Sequence, residues 1–316
     1  MKRYLVWILG PLVGAGAVAA FSQTHLLPPD WWCLPWLLSL VLFGLPHGAL
    51  DHAVVLHLWR PQPPPAWALP VLLAGYLGLV VFVLALWHRQ PALLFLGFIL
   101  LTWNHWGLAD LWWSWQRDPG YFSSTLHRAL FAAWRGGLPM LLPLYADPAF
   151  YQQTAQAASG LFGASAAAFS WMQLPLMREL ALVGTLALGA TEFILARHSA
   201  RTYWVNLLEG LSLAFFFVVL PALVSLGLYF TFWHGLRHVL RLKRFEGGSW
   251  SQLIREAWPA TVGALILLIG LAALTPHQGG YLPLLAIYLV LISALTVPHA
   301  LVVGWMDARD GLWKLR

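Results

Sequence analysis

The sequence is poor in charge. Only 9% of its 316 residues are Asp, Glu, Lys or Arg, against about 25% in a soluble domain. That excludes a soluble fold, and no separate polar domain is visible at either end. Cysteine is almost missing. Cys33 stands alone, so neither an internal disulfide nor a thiolate metal cluster can form. Short segments alternating apolar and polar, the mark of a membrane β-barrel, are missing too. So is any paired-carboxylate arrangement suited to acid–base chemistry.

What is present is apolar, with 60% hydrophobic residues in long runs from end to end. The class this implies is all-α, a polytopic transmembrane helix bundle. Hydropathy and the punctuation of Pro, Gly and charge place about ten spans. They lie near 4–21, 34–58, 67–87, 92–114, 128–146, 179–196, 205–222, 227–243, 259–275 and 282–304. The first, behind Lys2 and Arg3, reads as a retained peripheral helix within 1–30 rather than a cleaved leader. "RPQPPP" at 60–65 is a stiff linker, and a break near 221–227 splits a stretch too long for one span. The Ala-rich region 147–178 is expected to be interfacial or re-entrant. Whole-chain alternation puts most basic residues on one side, including Arg60, Arg117, Arg128, Arg237, Arg241 and Lys243. Both termini are then cytoplasmic. The net charge of +6 is accounted for by these topology signals, with no nucleic-acid partner implied. The chain reads as one integral-membrane domain over 1–316.

Histidine is the polar residue that stands out. Of twelve, His25, His88, His127, His198 and His277 fall near loops or span ends, and His57 near a cytoplasmic boundary. These read as solvated or interfacial. The rest lie deep: His47, Asp51 and His52 in "LPHGALDH", His105 and Asp110 in "TWNHWGLAD", His234 and His238 in "FTFWHGLRH", His299 in "TVPHALVV". Ionisable groups in spans are costly and mark function. His47, His105, His234 and His299 each precede a cytoplasmic boundary by a similar distance, roughly 15 to 20 Å. They therefore share one layer. His234 and His238, four residues apart, share a face, the spacing by which one helix offers two nitrogens to a metal. His47 and Asp51 share a face likewise, while His52 points about 100° from Asp51. Gly48, Gly107 and Gly235 permit close helix approach. Together these features predict a metal site. Imidazole suits Fe, Zn, Cu and Ni, and iron is the usual choice for oxygen chemistry. Asp51 is placed to accept a hydrogen bond from a ligand imidazole. Asp110 either does the same or meets water.

At "GLPHGALDH", "NHWGLAD", "YFTFWHGLRH" and "PHALVV" the sequence resembles the Brp/Blh family of membrane-bound β-carotene 15,15′-dioxygenases, over about 40–305. The resemblance implies cleavage of β-carotene or a related carotenoid at its central double bond, using Fe(II) and O2 and giving two all-trans-retinal. It implies His47, His105, His234 and His238 as iron ligands and gives His299 a family counterpart; Asp51, His52, Asp110 and His299 are expected to support the ligands rather than bind the metal. It further implies a multi-pass protein of a bacterial or archaeal cytoplasmic membrane, with a rhodopsin as possible acceptor of retinal. Trp103, Trp106, Phe230, Phe232 and Trp233 neighbour these ligands and are candidates to line a substrate tunnel, though core or lipid-facing roles serve each equally well. Three rivals remain: a di-iron desaturase or hydroxylase, a b-type cytochrome, and a non-enzymatic carotenoid or retinal carrier.

Overall fold

A computed structural model describes residues 6, 9–14, 29–59, 65–196, 200–275 and 280–313. Every regular element among them is helical. The expected first span, 4–21, lies mostly outside these residues. In chain order the helices are α1 Leu34–Val41, α2 Gly44–Gly48, α3 Asp51–Leu58, α4 Ala68–Arg89, α5 Pro91–Arg117, α6 Thr125–Ala146, α7 Pro148–Gly160, α8 Pro175–Leu195, α9 Ala200–Val219, α10 Ala222–Leu228, α11 Leu236–Glu246, α12 Trp250–Leu274 and α13 Tyr281–Arg309. A π-helix, Tyr229–Gly235, joins α10 to α11, and 3-10 turns occupy Pro29–Cys33, Pro119–Tyr121 and Ala166–Gln173.

Local chemistry explains the boundaries. Proline stands in the first turn of α5, α7 and α8, where its missing N–H costs nothing. Ser124, Asp147 and Ser249 cap α6, α7 and α12 by accepting backbone N–H bonds from His127, Phe150 and Gln252, which satisfies orphan donors. Gly247, at φ 68°, ends α11 in the left-handed conformation. The expected break at 221 is present, with Pro221 separating α9 from α10.

Among the described residues, six stretches are long and apolar enough to cross a membrane: Trp31–Leu58, Ala68–Arg89, Pro91–Arg117, Arg201–Val219, Trp250–Leu274 and Tyr281–Arg309. A pair bent by 60°, Ala167–Gln173 with Pro175–Leu195, makes a seventh if taken as one span. The stretches expected at 128–146 and 227–243 are helical but are not among these apolar spans. Region 147–178 holds the 13-residue α7 and a 3-10 turn. At 1.5 Å per residue α7 is roughly 20 Å long, too short to span.

α13 is the central helix, buried along most of its length, and α5, α6 and α7 pack around it or one another. α5 and α6 approach closely because Gly107 and Gly136 lie in the contact. A Cβ on Gly107 would strike the Ala132 carbonyl, and one on Gly136 the Trp103 carbonyl. α4 and α12 lie at the periphery with most of their side chains exposed.

Candidate metal centre

Five of the deep histidines converge. α2 brings His47, α5 brings His105, the π-helix brings His234, α11 brings His238 and α13 brings His299. All are buried. One ring nitrogen from each of His47, His105 and His234 can be chosen so that the three lie within 4.8 Å of one another. The His47 ring centroid stands 5.1 Å from that of His238 and 5.0 Å from that of His299. His105 stands 4.9 Å from both His234 and His299.

The π-helix shapes one side. Wide turns of this kind cluster at functional sites. Here Phe230, His234 and His238 form a column of near-parallel rings. The Phe230 and His234 planes differ by 11° at 6.2 Å, and those of His234 and His238 by 20° at 6.2 Å. The shared face expected for His234 and His238 is therefore present. Gly235 admits the column, since a Cβ there would lie 2.9 Å from the Phe43 carbonyl of the α1–α2 junction.

On His47 and His299 one ring nitrogen is held. His47 Nδ1 donates to the Phe43 carbonyl at 2.7 Å. His299 Nδ1 lies 2.8 Å from Asp51 Oδ1, whose other oxygen accepts from the Tyr76 hydroxyl at 3.1 Å. Anchoring through one nitrogen leaves the other with its lone pair free, as a metal ligand requires. Nε2 of His105, His238 and His299, and both ring nitrogens of His234, are buried without a protein partner. Buried polar atoms are ordinarily satisfied, so this group of unpartnered nitrogens fits a cation. Neutral imidazoles suit iron, zinc, copper and nickel.

A cavity of about 520 Å³ meets the cluster. His47, His105, His234 and His299 border it, and His238 does not. The wall is otherwise almost wholly apolar. Trp106 and Phe230 line it, as the sequence suggested. Trp103, Phe232 and Trp233 stand elsewhere. Trp103 packs on α6 and donates to the Ala133 carbonyl at 2.7 Å. Phe232 is 40% exposed and meets Phe43 edge-on. Trp233 turns away to donate to Asp110 at 3.0 Å. His52 borders the cavity with Nδ1 3.0 Å from the Ala49 carbonyl.

Asp110 neither backs an imidazole nor meets water. Its oxygens receive Arg135 at 2.9 Å, Arg237 at 3.0 Å and Trp233. Arg135, Arg237 and Arg117 also reach Glu209, at 3.0, 3.4 and 2.9 Å. The Arg237 guanidinium lies 3.7 Å over the Trp233 ring, a cation–π contact. This buried network ties α5, α6, α9 and α11 together beside the histidines. Sequence reasoning missed it, although Arg135 and Glu209, as charges inside apolar helices, were signals. It also missed Tyr76. His127 is a correction: it is fully buried, with Nε2 3.3 Å from Glu192, which accepts from Tyr121 at 2.7 Å.

Comparison with known proteins agrees with this geometry. The family described as beta-carotene 15,15′-dioxygenase matches residues 38–307. A protein of Halobacterium salinarum named "Probable beta-carotene 15,15′-dioxygenase Blh" is 33% identical over 98% of this chain and 92% of its own length. The "Beta-carotene 15,15′-dioxygenase" of an uncultured marine bacterium is 25% identical over 87% of this chain and 93% of its own. A second Halobacterium salinarum protein, named as a probable dioxygenase Brp, is 27% identical over 59% of this chain and 60% of its own. No solved structure matches.

Proposed function

Because the chain belongs to the β-carotene 15,15′-dioxygenase family, we propose that it cleaves β-carotene at the central double bond, consuming O2 and releasing two all-trans-retinal. One C=C bond and the O–O bond break, two C=O bonds form, and each product takes one oxygen atom. The reading is supported by four buried imidazoles on the wall of an apolar cavity, with a fifth, His238, packed beside His47 and His299.

His47, His105, His234 and His238 would hold Fe(II), which when bound supplies the redox chemistry that dioxygen needs to react with an alkene. His299 directs a further unpartnered nitrogen to the same place, with Asp51 and Tyr76 behind it. Iron content separates the two: loss in His299→Ala but not in His238→Ala makes His299 the ligand. The chain's other tasks are to orient the polyene against the histidines and to keep water out. Trp106, Phe230 and the aliphatic wall do both. β-Carotene dissolves in lipid, so entry from the bilayer suits it. The layout we propose has about ten spans, with both termini cytoplasmic, in the cytoplasmic membrane of a bacterium or archaeon. Retinal leaving the site would suit a rhodopsin as acceptor.

Expression in a β-carotene-producing bacterium tests this. The expected result is loss of orange colour with retinal appearing, abolished by His105→Ala and by His234→Ala. Purified protein should carry roughly one iron per chain, as a single imidazole site implies. Two irons would favour the desaturase rival, and a Soret band the cytochrome. Retinal formation that survives both substitutions overturns the assignment.

A further inference from the structure

The cavity is lopsided about the histidines. On one side it runs along α5 past Thr102, Ile99 and Phe95, and along α13 past Ile292, Leu289 and Leu285. From His105 to Phe95 is roughly 15 Å and from His299 to Leu285 roughly 21 Å at the helical rise. This arm is closed. Phe150, Tyr151 and Thr154 of α7 border its far end, each less than a tenth exposed. The Tyr151 hydroxyl is pinned to the Met140 carbonyl at 2.8 Å. On the other side, α4 and α12 form a mouth. Leu73, Leu77 and Leu267 border the cavity there, yet are 47, 62 and 41% exposed. The Tyr76 hydroxyl reaches Asp51 and lies 3.3 Å from the Leu295 carbonyl, which sets this mouth level with His299.

An all-carbon polyene offers no polar handle. Its conjugated double bonds are chemically alike, and dispersion against a smooth apolar wall holds them with little preference for register. A stop can supply that preference. We propose that the closed arm is a ruler: one ring-bearing half of the substrate fills it to the wall at Phe150, Tyr151 and Thr154, and the other half extends between α4 and α12 into the bilayer. The depth of the arm then decides which double bond stands at the histidines. The bond changes at that bond are those of the central reaction, with O2 the sole oxidant. This inference rests on the cavity being the polyene site.

The test is product length. Thr154→Phe and Leu289→Trp shorten the arm, while Phe150→Ala and Leu289→Ala deepen it. Each variant is given β-carotene, and the aldehydes are separated and weighed by mass spectrometry. The wild type should yield retinal alone. The variants should yield an unequal pair, one aldehyde longer and one shorter than retinal, displaced by at least one double bond. Leu267→Trp, at the mouth, should slow turnover and leave the products equal. A shortened variant that gives nothing leaves the decision to the deepened ones, in which the reacting bonds stay within reach. Retinal alone from both deepened variants, or no product from either while they still insert in the membrane, overturns the ruler. Failure of the wild type to make retinal overturns the proposed activity instead, so the two are told apart.

Discussion

Asp51 is a carboxylate buried among apolar helices, and its partners explain how it is tolerated. The His299 ring and the Tyr76 hydroxyl both bond to it. A carboxylate behind an imidazole fixes its tautomer and raises its basicity. Asp51→Asn keeps the shape and removes the charge. We expect metal retention to weaken by about 10- to 100-fold, the usual effect of losing such a partner, measured as iron left after dialysis against graded chelator. Unchanged retention would make the pair purely architectural. The sequence already showed that Asp51 should back an imidazole. It did not show which one, because His299 lies 248 residues away and spacing reports neighbours along one helix only. His127 departs from expectation for the same reason. Its place beside a loop suggested water, whereas its partner Glu192 is 65 residues on. Tyr121, in the 3-10 turn beside it, has its hydroxyl pushed well above the usual phenol range by burial and by the Glu192 carboxylate. It stays a donor at any working pH.

Among the elements, the π-helix Tyr229–Gly235 is the least legible and the most consequential. The four-residue spacing of His234 and His238 was plain in the sequence, but the wide turn before α11 was not. The Thr231 hydroxyl, 3.1 Å from the Pro35 carbonyl and 2.8 Å from the Gly227 carbonyl, holds the upstream part against α1. A π-turn amounts to one residue inserted in a regular helix. Deleting the half-exposed Phe232 should restore the regular form and take Phe230 out of line with His234, since the two would then be three residues apart instead of four. We expect iron and activity to be lost while circular dichroism shows helical content unchanged. Full activity in the deletion variant would show that the turn does not set the ring column.

At the scale of the whole molecule, the ion network of Asp110, Glu209, Arg117, Arg135 and Arg237 joins four helices. Taking one partner from a buried pair strands the other charge and costs about 3–5 kcal/mol. Asp110→Asn leaves Arg135 and Arg237 short of a carboxylate, and thermal unfolding in detergent should show a loss of that order. A shift near zero would mean that Glu209 alone satisfies all three guanidinium groups. The network also explains why span counting reached only so far. Arg117, Arg128, Arg237 and Arg241 look like topology signals, yet Arg128, Arg237 and Arg241 are buried, Arg117 is nearly so, and each is bonded to a carboxylate or, for Arg128, to the Leu312 carbonyl. Hydropathy registers such residues as interruptions, because the carboxylate that neutralises each lies on a different helix.

The one-ended shape of the cavity bears on how the reaction finishes. On the proposed placement of the polyene, the fragment formed outside the histidines lies among lipid tails and can diffuse off at once. Its twin, enclosed on all sides but one, must back out past the ring cluster through the opening by which it came. Departure is then ordered, and until the enclosed aldehyde has gone no fresh molecule can be seated.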